Sequence, residues 1–159
     1  FDRIALVRDP VRRFLSAFSN RVIHYRELSQ AARGAALEAA GLEPDPDIDL
    51  FMANFEAYMR CSKAVARHFS HQDTFVGKSK DYYNCVFRVE EMAGFEAFVN
   101  QRFGTQCSVP RLQEGGPKLD FWSLSPETRR RVIDYVRPSA ILDWFPQYRE
   151  SYAEFRMTA

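Results

Sequence analysis

The stretch Ile4-Ala5-Leu6-Val7-Arg8-Asp9-Pro10-Val11-Arg12-Arg13-Phe14-Leu15-Ser16-Ala17-Phe18 changes its period halfway along. Ile4 to Arg8 is an apolar run of β-type residues closed by a cation, which predicts a buried strand. Asp9-Pro10 breaks the run. Proline suits the first helical position because the N–H it lacks would have had no partner there, and Asp9 is a good N-cap. At about 100° per residue, Val11, Phe14, Leu15, Phe18 and Val22 then form one apolar stripe, with Arg12 and Ser16 together off its edge. A strand feeding a helix is expected. Free N–H groups and the positive end of the helix dipole would lie beside Arg8, making an anion site toward which Ser16 can turn its hydroxyl. The same residues also fit an arginine at a strand end and a serine on a solvated helix face, with no ligand.

Composition narrows the classes. A chain of 159 residues with 46% hydrophobic and 14% aromatic content is a packed globule, and one domain over 1–159 is expected. With 22 basic and 21 acidic side chains the net charge is +1, so there is no bulk electrostatic case for nucleic acid, and anion recognition must be local. No apolar run approaches the roughly 20 residues that span a bilayer, and no signal peptide is visible. Because Phe1 directly precedes a strand, the chain reads as the C-terminal portion of a longer domain. Any membrane anchor is then expected outside it, and the compartment, cytoplasmic or membrane-associated, stays open. Cys61, Cys85 and Cys107 are odd in number and widely spaced, so free thiols are expected, with one bridge still open. Cys61, His68 and His71 lack a C-x-x-C partner, and no metal is expected.

Val7 to Phe18 resembles the segment by which sulfotransferases hold the 3′-phosphate of 3′-phosphoadenosine 5′-phosphosulfate (PAPS). In that family an arginine at the strand end and a serine in the following helix take the phosphate, which implies Arg8 and Ser16 as cofactor-binding residues. The variant is close to the carbohydrate and membrane-associated sulfotransferases. His68-Phe69-Ser70-His71-Gln72 resembles a second family segment at His68, Phe69 and Gln72, although the family usually has proline where this chain has His71. The resemblance implies that both His68 and Gln72 line the acceptor side. A neutral imidazole could take the acceptor's proton, making His68 the candidate catalytic base, while a structural histidine remains the alternative. Tyr83 to Met92 is similar to the family's strand followed by an acidic residue, here Glu90, for which helix capping is the alternative. Lys118, after Gly115-Gly116-Pro117, is a cofactor contact by position only, against a solvated turn. The implied fold is α/β, a P-loop NTPase-like sheet of parallel strands with many helices. The implied reaction is sulfuryl transfer from PAPS to a hydroxyl acceptor, a carbohydrate by type, leaving adenosine 3′,5′-bisphosphate.

The remaining elements follow from period and punctuation. The first helix is expected to run through Val22 toward Arg26 or Leu28, and a short helix to occupy Ser29 to Ala40, stopped by a left-handed Gly41. Glu43 to Asp47 reads as a loop. One helix from Asp49 would place Phe51, Phe55, Tyr58 and Met59 in the core. Asn84 to Val89 reads as a second strand, followed by a helix through Met92, Phe95, Phe98 and Val99 that ends at Gly104. Pro110 to Asp120 is a loop. Ser125-Pro126 starts a helix with Val132, Ile133, Tyr135 and Val136 on its apolar side, and Ala140 to Phe155 is a last amphipathic segment bent at Pro146. The Tyr- and Phe-rich ending resembles that of the same sulfotransferases. Arg129-Arg130-Arg131 reads as a solvated helix face.

One part of the family's equipment has no counterpart: no G-x-x-x-x-G-K-[ST] or related lysine-bearing loop precedes Arg8. Two other classes therefore stay open, a nucleotide-binding pseudoenzyme and a helical interaction domain with a structural Arg8. Loss of the cationic loop at the transferring group would cost on the order of several kcal/mol of barrier. The 159 residues alone are expected to show almost no sulfuryl transfer, and a PAPS assay giving measurable turnover would refute this.

Overall fold

The computed structural model describes residues 2–110 and 115–156. Strand β1, Ile4–Val7, buries Ala5 and Val7. It pairs in parallel with β2, Cys85–Arg88, in the register Ile4 to Cys85 through Val7 to Arg88. Among the described residues the sheet has these two strands. A parallel pair needs a long crossover, and here it consists entirely of helices and turns. Both strands end at the same edge, which sets Arg8 and Val89 side by side where open α/β sheets bind their ligands.

Helix α1, Pro10–Ala17, starts with proline at its first position and Asp9 as N-cap. Its continuation, Phe18–His24, is π-helical, with the Tyr25 N–H bonded to the Asn20 carbonyl at 2.9 Å. The expected helix therefore holds its course but changes pitch. Ser19, buried here, donates its hydroxyl to the Pro117 carbonyl at 2.5 Å. Gly116, at φ +83, lies so close that a side chain on it would overlap the Ser19 carbonyl. The segment stops at Arg26 (φ 51), whose guanidinium forks onto Asp45 (φ 48) at 2.6 and 3.1 Å.

Helix α2, Gln30–Ala39, is capped by Ser29 and followed by Gly41 at φ +66, as its punctuation predicted. The single helix expected from Asp49 through Met59 is two, α3 (Ile48–Ala53) and α4 (Phe55–Cys61), and α5 (Lys63–Phe69) follows with His68 and Phe69 at its end. Asn54 at φ −123, ψ 27 breaks the expected helix, and Ser62 at φ −146, ψ 108 separates α4 from α5. The breaks let rings from three short axes converge on α1. Phe14 meets Phe69 at 4.9 Å and Phe55 at 5.9 Å, and Phe18 meets Phe51 at 5.0 Å. The apolar stripe of α1 is the centre of this core, which α8 (Pro126–Val136, capped by Ser125) closes from the other side with Val132, Ile133 and Val136.

After α6 (Asp73–Val76) the chain enters β2 and then α7 (Met92–Phe103), which ends at Gly104 in the left-handed region as expected. Phe87 packs on Phe95 and Phe98 of α7. Of the loop expected over Pro110 to Asp120, residues 111–114 lie outside the described residues; the rest is irregular until a 3₁₀ turn at Phe121–Ser123. The last segment is two helices, α9 (Ile141–Trp144) and α10 (Pro146–Glu150), parted at Phe145 because the residue before a proline is pushed out of the helical region. Ile141, Leu142, Trp144 and Tyr148 form a second core with Val7 beside β1. The three cysteines are free thiols. Among the described residues no helix is long and apolar enough to cross a membrane.

Phe51, fully buried among Phe18, Phe55, Tyr58 and Phe69, tests this core. Phe51→Ala should cost about 3–5 kcal/mol in urea unfolding, whereas Phe103→Ala, at a residue 59% exposed, should stay within about 0.5 kcal/mol.

Candidate functional site

The strand-to-helix junction uses up its own backbone. The Arg8 N–H donates to Gln72 Oε1 at 2.9 Å and the Asp9 N–H to Glu90 Oε1 at 3.2 Å. Pro10 has no N–H. Val11 and Arg12 donate to the Asp9 carboxylate at 2.8 and 3.4 Å, and Arg13 donates to the Asp9 carbonyl at 2.8 Å. The expectation of free N–H groups at this helix start is therefore corrected: the N-cap carboxylate occupies the place an anion would take.

Asp9 is 3% exposed. Its second carboxylate oxygen accepts the Tyr152 hydroxyl at 2.8 Å, a contact reaching across 143 residues. Burial pushes the Asp9 carboxyl above its ordinary value; the bonds from Tyr152, Val11 and Arg12 pull it down, and neighbouring Glu90 pushes it up. Glu90 also accepts the Tyr148 hydroxyl, at 2.6 Å. It links the two strand ends instead of capping α7, so the capping alternative for Glu90 is not what the structure shows. The tyrosine hydroxyls are held protonated, Tyr148 and Tyr152 both far above the ordinary range because they are buried against carboxylates.

Side chains are what the junction leaves available. Among the described residues the half-buried Arg8 guanidinium and the half-buried Ser16 hydroxyl have no hydrogen-bond or ion-pair partner. Arg13 is the nearby cation: the charge of Arg8 and, more strongly, burial lower its pKa, while its guanidinium donates to the Ser70 carbonyl at 2.6 Å. An unpaired arginine beside another cation is a place where an anion is stabilised. Ser16 lies one helical turn before Ser19, where the Gly115–Pro117 backbone docks. Lys118 follows on that loop, exposed. The close approach to the helix accounts for the glycine pair.

The His68–Gln72 segment is stapled to the same junction. Phe69 accepts the Tyr135 hydroxyl through its carbonyl and Ser70 accepts Arg13 through its own, while Gln72 Nε2 donates to the Arg8 carbonyl at 2.6 Å. Gln72 thus spends both ends of its amide on the Arg8 peptide, a geometry the sequence did not suggest for a residue expected on the acceptor side. His68, half-buried on α5, has a lowered pKa, first from burial and then from Arg21, with Glu27 opposing. Its imidazole is neutral at neutral pH and can accept a proton. The charged neighbours are the Arg21–Glu27 pair, 3.0 Å apart, together with Arg13 and Arg67. His71 stacks on Tyr135 at 4.8 Å.

Asp9 has a raised folded pKa, so the stability it contributes is complete below the unfolded value of about 3.8 and is lost as pH rises through the folded one. Tyr152→Phe removes a bond that lowers this pKa. Its urea midpoint should therefore fall more steeply than wild type between about pH 4 and pH 7; parallel curves would contradict the Asp9–Tyr152 coupling.

Compared with known proteins, the chain matches the model of the sulfotransferase family over residues 1–135, a span that holds Arg8, Ser16, His68, Gln72, Glu90 and Lys118. No curated protein and no solved structure matched it. A match across most of the chain, centred on a strand-end arginine and a proline-started helix that fold together, places this protein in the sulfotransferase family.

Proposed function

We propose that the chain forms one domain over residues 1–159 of P-loop-like fold, and that it serves PAPS-dependent transfer of a sulfuryl group to a hydroxyl acceptor of carbohydrate type. The observation that carries this reading is the Arg8 guanidinium at the end of a parallel strand and the Ser16 hydroxyl on the helix behind it, both without a hydrogen-bond or ion-pair partner among the described residues. PAPS supplies a sulfuryl group whose bond to the 5′-phosphate oxygen breaks as the acceptor oxygen bonds to sulfur, with adenosine 3′,5′-bisphosphate as the leaving group. Arg8 and Ser16 hold the 3′-phosphate, Arg8 as a fork of donors and Ser16 as a single one. Lys118 adds a cation at the edge of the same site. His68, kept neutral by burial and Arg21, receives the proton of the acceptor hydroxyl. In such a reaction positioning and charge stabilisation supply most of the rate, and Arg8 belongs to the positioning part.

The fit of the nucleotide rests on chemistry present in this chain. Half-buried Arg8, beside Arg13 and with its guanidinium unpaired among the described residues, calls for an anion, and Asp9, the carboxylate that follows it in the chain, is already committed to Val11, Arg12 and Tyr152. Bonds from a charged donor to a phosphate are worth about 1.5–3 kcal/mol. Arg8→Ala should therefore weaken adenosine 3′,5′-bisphosphate about 10- to 100-fold in titration calorimetry and leave adenosine 5′-monophosphate, which lacks the 3′-phosphate, unchanged. Ser16→Ala should lose about fivefold for the bisphosphate alone. Unchanged bisphosphate binding by Arg8→Ala would favour an interaction domain with a structural arginine.

Protonation of His68 gives an independent test. Its folded pKa lies below the unfolded value of about 6.5, so the unfolded chain binds more protons in that window and stability rises as pH climbs toward 6.5. His68→Gln should flatten that rise in urea unfolding at pH 5 to pH 7.

A further inference from the structure

We infer that Gln72 is a positioning residue for the 3′-phosphate site: its amide pairs with the Arg8 peptide, adds one rung to strand β1 and fixes the direction in which the Arg8 guanidinium leaves the sheet. The inference rests on the reading of Arg8 given above and deepens it.

Strand pairing stops one residue too soon to hold Arg8. Val7 is the last residue of β1 and faces Arg88, and the partner chain then turns into a 3₁₀ segment at Val89–Glu91. Arg8 is half-buried, so its N–H and carbonyl both need partners. In an extended residue these two groups point to the same side, and a primary amide offers an acceptor and a donor side by side on separate atoms facing the same way. Gln72 presents both, with Oε1 2.9 Å from the Arg8 nitrogen and Nε2 2.6 Å from its oxygen. It copies what a neighbouring strand residue would do.

Gln72 is itself held from several sides. The Phe69 and Ser70 carbonyls before it take the Tyr135 hydroxyl and the Arg13 guanidinium, and the Asp73 carboxylate after it takes the Ala140 N–H at 3.2 Å. Because α1, α8 and the start of α9 all anchor this turn, the amide is a rigid rung. An arginine on a fixed peptide loses less freedom when it grips a ligand than one on a loose peptide.

The test is calorimetric titration of the full chain with adenosine 3′,5′-bisphosphate and adenosine 5′-monophosphate, read as the ratio of the two affinities. Gln72→Leu fills the same space without an amide and should lower that preference about tenfold, as loss of an outer partner of a ligand-holding group does, with monophosphate affinity unchanged. Gln72→Glu keeps the acceptor for the Arg8 N–H but sets oxygen against the Arg8 carbonyl; it should give at least the same loss and stands in should Gln72→Leu not fold. Added to Arg8→Ala, Gln72→Leu should change nothing more, because its effect passes through Arg8. The inference is overturned if Gln72→Leu keeps the wild-type preference, if it weakens both nucleotides equally, or if its loss adds in full to that of Arg8→Ala. A preference untouched by Arg8→Ala itself would instead remove the assignment of Arg8, and the role of Gln72 with it.

Discussion

A carboxylate 3% exposed to solvent governs this structure. Asp9 must be buried for the strand to pass directly into the helix, and a buried carboxylate is costly unless its lone pairs are answered. It is answered by Val11 and Arg12 from one side and by Tyr152 from the other. The last of these fixes where the C-terminal residues go. Glu90, an exposed carboxylate just after the second strand, takes the Asp9 N–H and the Tyr148 hydroxyl and ties that strand to the same junction. The two strand ends and the C-terminal turns are therefore one hydrogen-bonded unit, and loss of the Asp9 or Glu90 carboxylate leaves the hydroxyl of a buried tyrosine, Tyr152 or Tyr148, without its partner.

The functional consequence is a division of labour at the junction. A helix start preceded by a strand would ordinarily offer its N–H groups to a phosphate, but here the protein consumes them. On the function proposed above, anion recognition passes to the side chains of Arg8 and Ser16, which have no hydrogen-bond or ion-pair partner among the described residues. A site of this kind is selective through length and direction more than through dipole, since a guanidinium reaches several ångströms beyond the peptide that carries it. The neighbouring Arg13 spends its donors on Ser70 while keeping its charge close.

Much of the fold was legible because it is local. The strand at Ile4–Val7, the proline-started helix, the serine cap at Ser125 and the left-handed Gly41 and Gly104 all rest on interactions within a few residues. The division of the Asp49 helix at Asn54 was not legible, because its residues suit a helix, whereas the break there lets Phe51 and Phe55 meet α1 from two axes. The π-helical turn was likewise not legible, and it carries a contact no local pattern could show, the Ser19 hydroxyl on the Pro117 carbonyl 98 residues away. Arg8 and Ser16 were singled out from their places at the junction, and the resemblance pointed to Gln72 on the acceptor side, but neither showed that the Gln72 amide would pair with Arg8.

The sequence by itself determined the strand, the helix that follows it, the cap between them and the cationic and hydroxyl residues set at that junction, because period and capping act over one or two turns of chain. Only the tertiary structure decided which groups there remain available. Partners 64, 81 and 143 residues distant take the Arg8 and Asp9 backbone groups and the Asp9 carboxylate, and the pairing of buried polar groups across such separations is settled by packing, which no local pattern encodes.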